Sequence, residues 1–233
     1  MRRNKDMYYS QKPMRIYESF LSRFLNVFFK NYSREEVAAG FKLHGEKCLD
    51  IACGDGELLN RYLYKRYKRA YGVDISPRLI NKAQSKKMKN CDFHVGDIDE
   101  FVEKAVKAGT KYDSIYLLAI LEHIQWPSIF IREVSKIVNE NGHIVIEVPN
   151  VSWLPHRLSF FLGKFPTTAP TVGAIPGVYD EHIRFFTIDT LNKIVQSAGF
   201  KLVKLDCSGK FKFIKKLYPK LLSPDIVAFY RKQ

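Results

Sequence analysis

Leu49-Asp50-Ile51-Ala52-Cys53-Gly54-Asp55-Gly56-Glu57-Leu58-Leu59 is the segment around which the rest of the predicted fold is arranged. It begins as the end of a buried strand, passes through a turn of small residues and enters an amphipathic helix at Glu57. Gly54 and Gly56 can adopt backbone angles closed to other residues and leave room for a ligand against the main chain. The helix start beyond them presents unpaired N–H groups. The segment therefore predicts a nucleotide-type binding turn.

Strands and helices alternate from this segment onward. The predicted strands are residues 48–53, 70–75, 92–95, 114–119 and 143–148. The predicted helices between them are 57–69, a helix starting at Pro77 after the capping residue Ser76, 98–108, and one running from Pro127 to the turn at Asn141-Gly142. This alternation is typical of βαβ units around a parallel sheet.

The second half of the chain ends the pattern differently. Residues 150–186 are rich in proline and glycine and predict an irregular insertion. We expect this insertion to form a lid over the substrate. A helix from Thr187 to Gly199 follows, and then strands 201–207 and 225–231 form an antiparallel end. Between these strands, 211–222 predicts a packing helix in preference to a membrane anchor. The predicted fold class is α/β, a Rossmann-like seven-stranded, mostly parallel sheet with helices on both faces and an antiparallel last strand.

The length of 233 residues predicts a single domain over 1–233. Residues 1–47 form a predicted helical lead-in, since apolar residues recur there at spacings of three and four (Tyr17, Phe20, Leu21, Phe24, Leu25 and Phe28). No apolar run is long enough for a membrane helix, and the start of the chain lacks a signal-peptide pattern. The four cysteines show no paired spacing. We expect a cytoplasmic protein with reduced thiols.

The formal net charge of +14 raises the question of an anionic partner. The basic residues are spread over several predicted elements, without a single stripe interleaved with stacking aromatics. Solvated helix faces are the first explanation. An anionic small molecule or a membrane-surface substrate is the second explanation, and a nucleic acid is the third. We therefore do not expect a nucleic-acid partner, and weak contact with a membrane surface stays open.

The binding turn does not suit a dinucleotide. Its sequence lacks the last glycine of G-x-G-x-x-G, and Asp55 and Glu57 would repel a pyrophosphate. These residues suit a ligand without phosphate that carries a cationic end. Asp74 follows Gly54 by 20 residues at the tip of the second strand, where a carboxylate can accept both ribose hydroxyls. Asp97, after the third strand, is placed to accept from an adenine amino group.

The chain resembles the class I S-adenosylmethionine-dependent methyltransferases, in their small-molecule branch. The five motifs that carry the resemblance are the turn at 50–56, Tyr71-Gly72-Val73-Asp74-Ile75-Ser76, Gly96-Asp97-Ile98, Tyr112-Asp113-Ser114-Ile115-Tyr116 and Ala119-Ile120-Leu121-Glu122-His123-Ile124. The resemblance extends through the segment from His182 to Phe200. Five motifs in the family's order and spacing are a specific signal. Ala52 departs from the glycine usual in the family, and we expect binding to survive because alanine is small.

The resemblance implies S-adenosylmethionine as the cofactor and assigns its contacts. Asp50, Ala52 and the backbone of Gly54 and Gly56 would hold the amino-acid end. The remaining contacts would be Asp74 on the ribose, Ile75 packed on adenine, Asp97 on the adenine amino group with Ile98 beside it, and Ala119 beside the methionine portion.

The acceptor side is defined less sharply. His123 and His182 are the candidate catalytic residues, because an oxygen acceptor must lose its proton. Arg157, Arg184 and Tyr179 of the insertion are candidate contacts for a small acceptor that is anionic, phosphorylated or sugar-linked and is methylated on oxygen or nitrogen. A related quinone-pathway branch uses acidic residues near its Glu-His pair for a metal. Since two adjacent residues, Glu122 and His123, are poor evidence for one, we predict no metal.

Two other functions stay open. The charge would fit an RNA or DNA methyltransferase, but amino-methylating base enzymes carry Asp/Asn-Pro-Pro-Tyr after the fourth strand, where this chain has Ala119-Ile120-Leu121-Glu122. A non-catalytic, cofactor-binding partner subunit is the other alternative. No motif is broken in the way that this alternative would predict.

Overall fold

The computed structural model describes residues 30–165 and 182–233. Its centre is one seven-stranded sheet with the order β3-β2-β1-β4-β5-β7-β6. The strands are β1 Gly45–Ile51, β2 Tyr67–Asp74, β3 Cys91–Val95, β4 Tyr112–Leu118, β5 Val138–Pro149, β6 Phe200–Asp206 and β7 Asp225–Lys232. Strands β1 to β5 pair in parallel, whereas β7 is antiparallel to both β5 and β6. The predicted fold class is confirmed.

Helices cover both faces of this sheet. They are α1 Arg34–Ala39, α2 Leu58–Leu63, α3 Pro77–Ser85, α4 Ile98–Lys107, α5 Pro127–Lys136, α6 Leu154–Phe161, α7 Ile188–Ser197, α8 Lys212–Lys215 and α9 Pro219–Leu222. Apolar residues of α4, α5 and α7 share one buried cluster, and those of α1, α2 and α3 share the other. Residues 144–146 and 148 of β5 are fully buried, as expected for a central strand covered on both sides.

Side chains at the helix starts explain where three of the helices begin. Ser76 accepts the Leu79 N–H before α3, Asp97 accepts from Asp99 and Glu100 before α4, and Thr187 forms a reciprocal capping box with Thr190 before α7. Pro77 and Thr187 were predicted as these boundaries, and both are confirmed.

The predicted helix over 57–69 is wrong beyond its middle. Helix α2 ends at Leu63 with an i to i+5 hydrogen bond from Tyr64 N–H to the Leu59 carbonyl, and β2 already begins at Tyr67. Tyr67 is buried, and its hydroxyl lies 3.1 Å from that of Tyr116. Because this ring packs in the core, β2 already begins at Tyr67. The start of β2 therefore lies within a run of basic residues whose pattern predicts the surface of a helix.

Two further elements differ from the prediction. Strand β5 starts at Val138, and residues 139–142 form an irregularity in its pairing with β4, with Asn141 at φ 62°. The packing helix predicted over 211–222 is replaced by the two four-residue helices α8 and α9. Residues 1–29 and 166–181 lie outside the described residues, and with them the predicted helical stretch 17–28, most of the predicted lid and Tyr179.

Candidate functional site

The turn after β1 adopts the backbone conformation that its small residues allow. Ala52, Gly54 and Gly56 all have left-handed backbone angles, with φ of 61°, 53° and 71°. The Gly56 N–H donates to the Cys53 carbonyl at 2.9 Å, and the Cys53 N–H donates to the Val73 carbonyl of β2 at 3.0 Å. These bonds hold the turn against the neighbouring strand. A Cβ at Gly54 would meet no atom within 4 Å, so the turn presents bare backbone to open space.

Gly56→Ala is expected to lower the free energy of unfolding by about 2–4 kcal/mol, because the substitution combines left-handed strain with overpacking. An added Cβ would lie 2.7 Å from Asn60 Nδ2 and 2.8 Å from two ring atoms of Phe93. Gly96→Ala is the matched control, since its Cβ would meet nothing within 4 Å. Urea unfolding of both variants measures the difference. Equal stability of the two variants would show that the turn tolerates a side chain at 56.

Asp74 joins the turn to the tip of β2. One carboxylate oxygen accepts the Gly54 N–H at 2.9 Å, and the other accepts the Ser76 N–H at 2.9 Å. The side chain is buried, yet each oxygen keeps a further lone pair for a ligand. Ile75, the next residue, is partly exposed at the same strand end. The structure thus brings Asp74, the predicted ribose residue, against the glycine turn, and Ile75 follows it directly after β2.

Asp97 and Ile98 lie beside Asp74. The Gly96 N–H donates to the Asp74 carbonyl at 3.0 Å, which holds the end of β3 against the end of β2. One oxygen of Asp97 caps α4 by accepting from Asp99 N–H at 2.9 Å. The cap and an adenine contact are compatible, since a carboxylate offers two oxygens. The adenine role of both residues stays a prediction.

Buried carboxyl groups lie near the ends of β1 and β5, and the Arg34 guanidinium is close to both. Burial, followed by the neighbouring carboxylates of Glu35 and Asp74, raises the pKa of Asp50 well above its usual range. Burial also raises the pKa of Glu147 to about 8, and its Oε2 is buried without a hydrogen bond. Arg34 Nη1 lies 3.7 Å from that oxygen. A site with this surplus of buried acids favours a positively charged ligand.

Sequence reasoning missed Arg34 and Glu147. Arg34 opens the short helix α1, far from the glycine turn in sequence, and reaches the sheet edge only because α1 packs there. Glu147 sits within the apolar run of β5 and pairs with Leu118 of β4. The sequence did contain an indication of Glu147, because a carboxylate within a run of buried apolar residues needs a charged partner or hydrogen bonds.

Glu122, His123 and His182 form a second group at the end of β4. Ala119 begins the segment with φ of 51° and donates its N–H to the Glu147 carbonyl at 3.1 Å. The rings of His123 and His182 lie 4.8 Å apart in an edge-to-face arrangement. His182 Nε2 lies 3.9 Å from Glu122 Oε1. The two predicted catalytic histidines therefore meet, although 59 positions separate them in sequence.

The electrostatics of this group suit proton transfer. Burial, aided by the adjacent His123, lowers the pKa of His182 to about 4, so its ring is neutral at pH 7. Burial raises the pKa of Glu122 to about 7, and Glu122 Oε2 is another buried oxygen without a hydrogen bond. One ligand atom from each of the three residues lies within 4.8 Å of the others, close enough for a metal ion. The absence of a metal stays a prediction.

The predicted acceptor contacts are placed less favourably. The Arg184 guanidinium donates to the carbonyls of Gln125 and Ile183, which links residues 182–186 to the segment after β4. Arg157 donates to the Ser152 carbonyl at 2.7 Å and is otherwise exposed. A cavity of about 530 Å³ opens beside His123, and its lining includes the carboxylates of Asp99, Glu103 and Glu133. Glu103 pairs with Lys107 and Glu133 pairs with Lys136, so the lining of this cavity does not by itself select the charge of an acceptor.

Known proteins share sequence and fold with this chain. A family model described as a methyltransferase domain matches residues 15–205. A ubiquinone biosynthesis O-methyltransferase of Azorhizobium caulinodans is 32% identical over 166 residues, which are 70% of this chain and 62% of that protein. The chain thus spans less than two thirds of that relative's length.

Solved structures show the same fold. A putative S-adenosylmethionine-dependent methyltransferase from Listeria monocytogenes superimposes with a TM-score of 0.61 at 15% identity, over 86% of this chain and 97% of that one. One from Archaeoglobus fulgidus gives a TM-score of 0.59 at 19% identity, over 92% and 100% of the two chains.

Proposed function

Because this chain belongs to the S-adenosylmethionine-dependent methyltransferase-domain family, we propose that it transfers a methyl group from that cofactor to an oxygen atom of a small hydroxylated molecule. The observation that carries the acceptor chemistry is the cluster of Glu122, His123 and His182 at the end of β4. The relative from Azorhizobium caulinodans, named as an O-methyltransferase, supports an oxygen acceptor.

The residues at the sheet edge fit the cofactor's charges. The cofactor is a cation at its sulfur and at its amino group and an anion at its carboxylate. Asp50 supplies a buried carboxyl group for the cationic end. Arg34 supplies a guanidinium that can bind the carboxylate with two parallel hydrogen bonds. Asp74 supplies acceptors for the ribose hydroxyls, and the bare backbone at Gly54 leaves space for the ligand.

When bound, the cofactor supplies a sulfonium methyl group that transfers by in-line displacement, which depends mainly on alignment and exclusion of water. An acceptor oxygen beside the cluster would receive this methyl group, and S-adenosylhomocysteine would leave. A ring nitrogen of the neutral His182 takes the hydroxyl proton. The Glu122 carboxylate, facing His182 Nε2, stabilises the imidazolium that results.

A panel of small acceptors tests the proposal directly. Phenols, catechols, sugars, carboxylates and phosphorylated alcohols are incubated with the protein and radiolabelled cofactor, and methylated product and S-adenosylhomocysteine are measured. We propose that uncharged hydroxyl groups react through the cluster, and that anionic members of the panel depend on Arg157. Cofactor binding without transfer to any hydroxyl compound, together with transfer to an RNA pool, would favour the nucleic-acid alternative.

The rate of methyl transfer is expected to rise with pH and level off above about pH 7. The cause is Glu122, whose pKa burial raises to about 7, because only the ionised carboxylate stabilises the imidazolium of His182. Below that pH the carboxyl group is protonated and this stabilisation is lost. A profile of kcat/KM against pH measures the effect. In Glu122→Gln the rise near pH 7 should disappear, and a profile unchanged by that substitution would contradict the role of Glu122.

A further inference from the structure

The residues from α8 to α9 carry a feature that methyl transfer does not use. Between Asp206 and Asp225 the chain has five lysines and no acidic residue, interleaved with large apolar residues: Lys210-Phe211-Lys212-Phe213-Ile214-Lys215-Lys216-Leu217-Tyr218-Pro219-Lys220-Leu221-Leu222. The sequence predicted a helix that packs its apolar residues. The structure instead leaves several of them at the surface, with Phe213 64% and Leu217 80% exposed.

Helix α6 adds a second group of exposed apolar side chains. Phe161 is 87% exposed and Leu162 is 67% exposed, and Leu158 on the preceding turn is also exposed. We call Leu158, Phe161, Leu162, Phe213, Leu217 and Tyr218 together the basic apolar surface. A protein that stays alone in water rarely exposes so many large apolar side chains on neighbouring elements.

Hydrogen bonds join the two halves of this surface. The Asn150 side chain, just before α6, donates to the carbonyls of Pro219 and Ser223, and Ser152 Oγ donates to the Lys220 carbonyl at 2.8 Å. Both halves also lie at the sheet edge that carries the candidate site, since Pro149 at the end of β5 pairs with Asp225 at the start of β7. The surface is therefore held beside the candidate site.

The charges around the surface are mostly positive. Residues 150–165 contain Arg157 and Lys164 and no acidic residue, and 207–224 contain the five lysines. Asp206 pairs with Lys212 at 2.9 Å and with Lys216 at 3.3 Å. Asp189 pairs with Lys220 at 2.8 Å. Two acidic partners thus face seven cations, so the basic apolar surface stays strongly positive.

We propose that the basic apolar surface docks this chain on an anionic phospholipid bilayer, with the apolar side chains among the headgroups and the lysines on the lipid phosphates. Lysine stems can lie along apolar surface while their charges reach the phosphates. A second copy of the same surface would bring like charges together, which opposes self-association. Within residues 30–165 and 182–233 no helix is long and apolar enough to cross a bilayer.

Vesicle sedimentation of the full chain tests the docking. The probes are vesicles of phosphatidylcholine alone and vesicles with about 30% phosphatidylglycerol, in low salt and in about 0.5 M salt. We expect binding to the anionic vesicles in low salt and little binding to the neutral ones. Phe213→Ser with Leu217→Ser should weaken binding about tenfold or more, through the lost apolar area. Lys216→Gln with Lys220→Gln should weaken it about tenfold.

Matched variants keep the result specific. Val203→Ser changes an exposed apolar residue of β6, and Lys104→Gln with Lys107→Gln removes two exposed lysines of α4 that are also paired with acidic residues. Both controls should bind vesicles like the unaltered chain. Absence of binding, equal binding to neutral vesicles, or equal losses in the controls would overturn the proposal. A dimer abolished by the Phe213 and Leu217 changes, without vesicle binding, would instead assign the surface to a second copy. Because the assay uses neither cofactor nor acceptor, its outcome is independent of the proposed methyl transfer.

Discussion

Asp74→Ala is expected to weaken binding of S-adenosylmethionine by about a hundredfold or more. Each hydrogen bond from a ribose hydroxyl to the carboxylate contributes about 1.5–3 kcal/mol, so losing both exceeds the roughly 2.8 kcal/mol that corresponds to a hundredfold change. The substitution also frees the Gly54 N–H, which Asp74 now holds at 2.9 Å. Isothermal titration calorimetry measures the affinity for the cofactor and for S-adenosylhomocysteine.

Two further variants define what the loss means. Asp74→Asn keeps one side-chain oxygen and should lose less affinity than Asp74→Ala. Asp92→Ala removes an exposed carboxylate near the start of β3, paired with Arg69 at 3.5 Å, and should bind the cofactor like the unaltered chain. Thermal unfolding checks that each variant is folded. A folded Asp74→Ala with affinity within threefold of the parent would remove Asp74 from the cofactor site.

The sequence predicted the parts of the fold that local chemistry specifies. Ser76 before Pro77 and Asp97 before Ile98 start helices whose caps are made by adjacent residues. The buried runs of β4 and β5 can only be central strands, because both faces of each strand are covered by helices. The glycine turn was predictable for the same reason, since its left-handed angles at 54 and 56 favour glycine over other residues.

The rest depended on contacts between distant residues. Tyr67 belongs to β2 because its ring packs beside Tyr116, which no local pattern of 57–69 reveals. Arg34 reaches Glu147 only through the packing of α1. The segment 211–222 shows a different limit of sequence analysis. Its alternating apolar and basic residues predict a buried face only if another part of the fold packs against that face. Helices α8 and α9 leave several of these side chains exposed to solvent.

His123 and His182, the predicted catalytic pair, illustrate both local sequence chemistry and contacts between distant residues. His123 follows β4 directly, so its place at the sheet edge follows from the motif. His182 arrives there because the Ile183 and Arg184 N–H groups donate to the Glu122 carbonyl at 2.9 and 3.0 Å. The same bonds bring the buried Glu122 side chain against the ring of His182. No spacing in the sequence indicates this contact.

His182→Ala is expected to lower kcat by about 10²–10⁴-fold on the hydroxyl acceptor that the panel identifies, with cofactor affinity unchanged, because the proton of the hydroxyl would lose its acceptor. His156→Ala is a matched control, since His156 is a buried histidine of α6 that hydrogen-bonds the Asn150 carbonyl and lies outside the Glu122 cluster. An acceptor that is already ionised should react nearly normally with the His182 variant. Loss of activity in EDTA, restored by one divalent metal, would instead assign Glu122, His123 and His182 to a metal ion. If His182→Ala slows neutral and ionised acceptors equally, the ring positions the acceptor and does not take its proton.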